Sequence, residues 1–159
     1  MSTLTIRERI IALVKTTLEA IVPSAYQSTV IRVFRDGEIM LNVDETPCVL
    51  KIIDRGDAMK RHIKYVYENT MTLEVMGRIV ESDIATKREK LAILQGDVLK
   101  ALSSNDYWSD GSVSLVARTR LVSNGITLTE PIEPDGLMLV TIQLTYRVKR
   151  NDPYTLVTL

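Results

Sequence analysis

A chain of 159 residues is the size of one domain with a substantial core. Hydrophobic residues make up 45% and charged residues 25%, which argues against wholesale disorder, and 20 basic residues cancel 20 acidic ones, so the chain as a whole offers no field for nucleic acid. A single cysteine, Cys48, forms no intramolecular disulfide; the charged opening MSTLTIRERI does not read as a signal peptide, no apolar run approaches the ~20 residues of a membrane span, and the expectation is a protein folded in a cytoplasm.

The first predicted element is a helix. Thr5-Ile6-Arg7-Glu8 has the capping-box spacing, and Ile6, Ile10, Leu13, Val14, Leu18 and Ile21 recur at helical intervals until Pro23. STVIRVFRDGEIMLNVD then alternates with period two, and Asp36-Gly37 predicts a hairpin turn with a return strand from Glu38 to Val43. Pro47 opens another apolar run, Val49 to Ile53, which leads into a charged stretch expected to be a loop.

Tyr65 to Val80 is the longest predicted strand. Met71, Leu73, Val75, Gly77 and Ile79 share one face; Thr72, Glu74, Met76, Arg78 and Val80 share the other. Thr86-Lys87-Arg88-Glu89 repeats the capping-box signature and starts a second amphipathic helix through Leu91, Leu94, Val98 and Leu102, with Ile84 packing ahead of the cap. Two strands follow, Val113 to Leu121 and Leu137 to Val148, with Ser123-Asn124-Gly125 as a turn and TEPIEPDG as a loop. No βαβ alternation occurs. The predicted fold is therefore α+β, a mostly antiparallel sheet with two amphipathic helices packed on one face. Residues 1–159 read as a single domain, a core over 5–149 and a C-terminal extension over 150–159.

The stretch PCVLKIIDRGDAMKRHIKY holds the chain's single cysteine and single histidine. A nucleophile–base pair would have to use His62, which stands among Lys60, Arg61 and Lys64 and reads as a solvated residue. Cys48, between apolar neighbours, reads as a small buried hydrophobe. One cysteine and one histidine do not make a zinc site, and the acids show no ligand spacing; Asp54 and Asp57 are accounted for by the counter-charge of Arg55. Glycines stand singly, without the phosphate-binding fingerprints. Gly96 within the second helix reads as a close helix–sheet contact, Trp108 as a core plug, and Tyr65 and Tyr67 as strand residues on one side. No catalytic residue, cofactor or metal is expected.

The element order itself is a clue. RERIIALVKTTLEAIV, MTLEVMGRIVES, TKREKLAILQGDVLKAL and LMLVTIQLTYRV, in that order over residues 5–149, resemble the bacteriophage tail terminator family. The resemblance is one of element order, size and character, and carries no fingerprint motif. It implies a non-enzymatic virion protein, a homohexameric ring at the head-proximal end of the tail that caps the tail tube, stops its polymerisation and joins it to the head or neck. It further implies assembly in the host cytoplasm. Implied partners are other copies of the chain, the tail tube protein, a head–tail connector or neck protein and, where the tail is contractile, the sheath. DNA would pass through the ring without sequence-specific reading, and no membrane is involved. The tail NDPYTLVTL has no counterpart in that pattern. A head–tail connector or neck subunit is the alternative within virions; a small hydrolase using His62 with Asp54 or Asp57 is the alternative from another class.

Three surfaces are predicted on this basis. Asp54, Arg55, Asp57, Lys60, Arg61 and Lys64 form a partner-docking loop, with a solvated hairpin tip as the competing reading. Thr72, Glu74, Met76, Arg78 and Val80 form a subunit interface, because apolar residues stand on a face no helix stripe is left to cover, with Glu74 and Arg78 pairing across subunits. Tyr154, Leu156, Val157 and Leu159 form a C-terminal contact, expected on a neighbour's sheet edge.

Overall fold

The computed structural model describes residues 4–38, 48–63, 65–105, 108–128 and 135–157. Helix α1 (Ile6–Glu19) starts where its capping residue predicts: Thr5 is extended, and its Oγ1 accepts a 3.2 Å hydrogen bond from the Glu8 N–H. Ile6, Ile10, Val14 and Leu18 are buried along one stripe, joined by Ile11. Each contributes about 1.5–3 kcal/mol on burial, and together they far outweigh the cap. The helix ends before Pro23, yet Ile21 still reaches the core.

A short strand β1 (Arg32–Arg35) follows, and Gly37 turns the chain at a φ of 85° while the Glu38 N–H donates to the Arg35 carbonyl at 3.0 Å. The expected return strand lies largely outside the described residues. Strand β2 (Cys48–Ile63) pairs with β1 in parallel and with β3 (Val66–Val80) in antiparallel register. The parallel pair makes the sheet mixed, whereas its other pairings are antiparallel.

Helix α2 (Ile84–Ser103) begins ahead of the predicted Thr86 cap. Asp83 takes that role, accepting the Thr86 N–H at 2.7 Å, so Ile84 is helical and exposed and does not staple the cap. A two-residue pair, β4 (Ser109–Asp110) and β5 (Val113–Ser114), then precedes β6 (Arg118–Leu128), β7 (Asp135–Lys149) and β8 (Asp152–Leu156). The strand predicted from Val113 to Leu121 is thus interrupted: Leu115 and Val116 leave the ladder and enter the core. Ser123-Asn124-Gly125, predicted as a turn, lies inside β6, held by pairing with the 15-residue β7. Trp108 is a core plug, and its Nε1 donates to Thr119 Oγ1 at 3.1 Å.

The main sheet runs β1-β2-β3-β7-β6, with β8 also on β7. Alternate residues of β3 (Met71, Leu73, Val75, Ile79) and of β7 (Met138, Val140, Ile142, Leu144) belong to one core cluster with both helices. Both helices therefore cover one face. The approach is closest at Gly77 and Gly136: a Cβ at Gly77 would stand 2.9 Å from the Leu94 side chain, and one at Gly136 would stand 2.6 Å from Leu91. Gly96, expected to provide such a contact, instead opens onto free space. Among the described residues no helix is long and apolar enough to cross a membrane.

Candidate functional site

The opposite face of the sheet carries no helix among the described residues, and the strand registers fix which side chains stand on it. From the β2–β3 turn inward, successive rows read Lys60–Glu68–Arg147, Ala58–Thr70–Thr145–Arg118, Thr72–Gln143–Arg120, Ile53–Glu74–Thr141–Ser123 and Lys51–Met76–Leu139–Gly125. Val49, Arg78 and Leu137 close the series, beside Arg32 and the buried Phe34 of β1. The predicted interface residues Thr72, Glu74, Met76, Arg78 and Val80 all lie here and all are half-buried. Leu139, at 37% exposure, adds apolar surface beside Met76.

Polar contacts organise the face. Arg55 grips Glu74 through two nitrogens, at 2.7 and 2.6 Å, and Arg147 grips Glu68 at 2.9 Å. The hydrogen bond and charge of Glu74 hold the Arg55 guanidinium above its ordinary pKa. Glu74, expected to pair with Arg78 of a neighbour, is thus engaged by Arg55 within its own chain. Thr70 and Thr145 share a 3.3 Å hydrogen bond across β3 and β7.

The predicted docking loop is not a loop. Asp54, Arg55, Asp57, Lys60 and Arg61 belong to β2, paired with β3 as far as Ile63. A bulge between Asp54 and Asp57, where Gly56 takes the left-handed φ of 88°, inserts one residue and breaks the alternation that would have revealed a strand. The side chains of Arg61 and His62 lie outside the described residues, as does Lys64.

The bulge also separates the two kinds of charge. Arg55 and Lys60 face the open side, while Asp54 and Asp57 face α1, where Arg7 binds both. The Arg7 Nε donates to Asp57 at 3.1 Å, its Nη2 to Asp54, and the Tyr146 hydroxyl donates to Asp57 at 2.6 Å. The counter-charge of the aspartates is therefore Arg7, not the predicted Arg55. Burial opposes the charge on Arg7, but the two carboxylates more than offset it and raise its pKa. Burial, reinforced by the bond to Asp57, pushes the Tyr146 phenol well above its ordinary value. An open cleft of about 390 Å³ between α1 and the β1–β2 edge is lined by Arg7, Arg35, Asp36 and Asp54. Its guanidiniums are already paired, Arg35 with Glu8 at 2.9 Å. This is a clasp that fixes a helix to a sheet.

Cys48 is buried, and burial followed by the charge of Asp97 pushes its thiol up to about 11, which keeps it protonated at neutral pH. Asp97 was not singled out from the sequence, although a carboxylate between Leu94 and Val98 on an apolar stripe is a visible anomaly. It accepts the Gln27 and Ser28 N–H groups at 3.0 and 2.7 Å and ties the segment after α1 to α2. Among the described residues no group of three His, Cys, Asp or Glu side chains is arranged to hold a metal.

The predicted C-terminal contact is made within the chain. Asn151, at φ 62°, turns β7 back into β8, where Leu156 pairs with Val148 and packs on the core. The Val157 N–H donates to the Arg147 carbonyl at 3.2 Å, and Tyr154 remains 51% exposed. Pro153 is tolerated within β8 because it is an edge strand. Leu159 lies outside the described residues. Tyr65 sits in the turn at φ 75°, whereas Tyr67 packs on the core, so the two do not form one aromatic platform. No protein-family model matches the chain, and no curated protein matches it.

Proposed function

We propose that the protein is a structural ring subunit of a bacteriophage tail, a terminator that caps the tail tube, ends its polymerisation and joins it to the head or neck. One observation carries the reading. Both helices lie on one side of the sheet, and on the other Met76, Val80, Leu137 and Leu139 present half-buried or exposed apolar groups at one end of an otherwise polar face. Such a surface is suited to a head-to-tail contact between copies, which closes into a ring when the rotation per subunit divides the circle. The exposed β6 edge, 11 residues long, offers backbone donors and acceptors for a neighbour. The resemblance in element order to tail terminators supports the same reading, with the short β4–β5 pair and β8 standing outside the predicted order.

In this reading the partners are other copies of the chain, the tail tube subunit and a neck or connector protein, and the protein resides in the virion at the head-proximal end of the tail. The test is tube assembly from the tail tube subunit encoded by the same genome, with and without this chain. Expected are open-ended tubes without it and tubes of limited length, with the chain at one end, when it is present. Tube growth indifferent to its presence contradicts the reading.

A further inference from the structure

The net charge of zero conceals a segregation. At the β2–β3 turn end of the open face, Lys60, Arg118, Arg120 and Lys149 are exposed and none makes an ion pair among the described residues. Of the acids in this half, Glu68 and Glu74 are already bound by Arg147 and Arg55, while Asp152 on β8 stands opposite Lys149, partly offsets its charge, and accepts from the Tyr154 N–H and the Thr155 hydroxyl. Between the cations lie Thr70, Thr72, Gln143 and Thr145, which are hydroxyl and amide groups able to donate.

We infer that this half of the open face binds the backbone of double-stranded DNA without reading its sequence. Charge demands an anionic partner. The remaining chemistry selects which: protein interfaces centre on desolvated aromatic or aliphatic anchors, and the rows from Lys60 to Arg120 hold none, Val66 beside Lys149 being already buried. Arg, Lys, Thr and Gln are instead the side chains that contact phosphates. The rows themselves lack an aromatic on which an unstacked base could lie, and the exposed Tyr65 in the adjoining turn is a single ring with no second to continue a stack, which disfavours a single strand. Geometry fits a duplex. Arg118 and Arg120 on β6 stand three strand spacings, about 14 Å, from Lys60 on β2, close to the ~12 Å width of the major groove. The apolar end assigned above to subunit contact is a separate part of the face, and a neighbour on the β6 edge would engage its backbone and not the Arg118 and Arg120 side chains, so this inference stands or fails independently of the ring.

The experiment is fluorescence anisotropy of the full chain with a labelled random-sequence duplex of ~30 base pairs, titrated at ~50 and ~200 mM NaCl. With about four phosphates neutralised, log K falls with log salt at a slope near −3.6, which is an affinity loss of about 150-fold between those concentrations. Arg118→Glu with Arg120→Glu, checked for an unchanged melting curve, is expected to halve the slope and weaken binding at least ~10-fold, whereas Arg88→Glu on exposed α2 leaves it unchanged. Should the double variant not fold, Lys60→Gln with Lys149→Gln reads the same loss. Absence of duplex binding at ~50 mM salt, or full binding by the variants, overturns the inference. So does competition by polyglutamate as effective, per charge, as unlabelled duplex, which would assign the face to an acidic protein.

Discussion

Replacing Arg7 with glutamine tests whether the aspartates of the β2 bulge are structural. The wild-type guanidinium binds two carboxylates, and the three side chains are 28%, 25% and 21% exposed. Exposed pairs contribute about 0–1 kcal/mol, while removing one partner of a fully buried pair costs about 3–5. Three-quarters burial with two acceptors places Arg7→Gln near 2 kcal/mol, because Asp54 and Asp57 then repel each other without a counter-charge. For a domain of this size that corresponds to a melting temperature lower by about 4–8 °C. The assay is thermal and urea unfolding at neutral pH of Arg7→Gln, Asp57→Asn and the double variant. The second substitution removes the stranded charge yet keeps an acceptor for Tyr146, so the double variant is expected to recover about 1 kcal/mol relative to simple addition. A loss below ~2 °C for Arg7→Gln, or strict additivity, would refute the clasp.

Other expectations follow from the same contacts. Asp97→Ala removes the acceptor of two part-buried N–H groups and is expected to cost about 1–2 kcal/mol in denaturant unfolding, with Asp97→Asn intermediate; a neutral Asp97→Ala would contradict the tie. Burial pushes the Cys48 thiol up to about 11 in the folded chain against 9.0 ordinarily, so the unfolded chain loses its proton first; stability is complete below pH ~9 and falls by about 2 kcal/mol as pH rises to 11, a decline that Cys48→Ala should flatten. Truncation after Arg150 removes β8 and its Leu156 contact and is expected to lower the melting temperature by about 2–6 °C; an unchanged melting curve alongside lost assembly would return the segment to a neighbouring subunit.

Much of the architecture was legible because its signals are local. Thr5 announces α1, and the alternation from Met71 to Val80 announces both faces of β3. What escaped depends on partners distant in sequence. β2 was hidden by one extra residue at Gly56 and by charges that serve opposite faces, a division that appears only once Arg7 and Glu74 are in place. Asn124-Gly125 has the chemistry of a turn but is drawn into β6 by the long ladder of β7. The tail NDPYTLVTL was expected on a neighbour, and the turn at Asn151 folds it back as an edge strand of its own sheet. The cationic end of the open face was invisible for a similar reason: Lys60, Arg118, Arg120 and Lys149 come from separate strands, and a net charge of zero averages them away.

The central claim is that copies of this chain close into a ring through the uncovered sheet face. It is tested most directly by the mass of the chain assembled on its tail tube, measured by native mass spectrometry or by counting subunits in electron micrographs. Isolated rings can be weak, so the particle and not the dilute protein is the object to measure. The account predicts a closed ring, a hexamer, that is lost when Met76 and Leu139 are replaced by aspartate. A monomer or dimer in the assembled particle, or an intact ring in that variant, would contradict it.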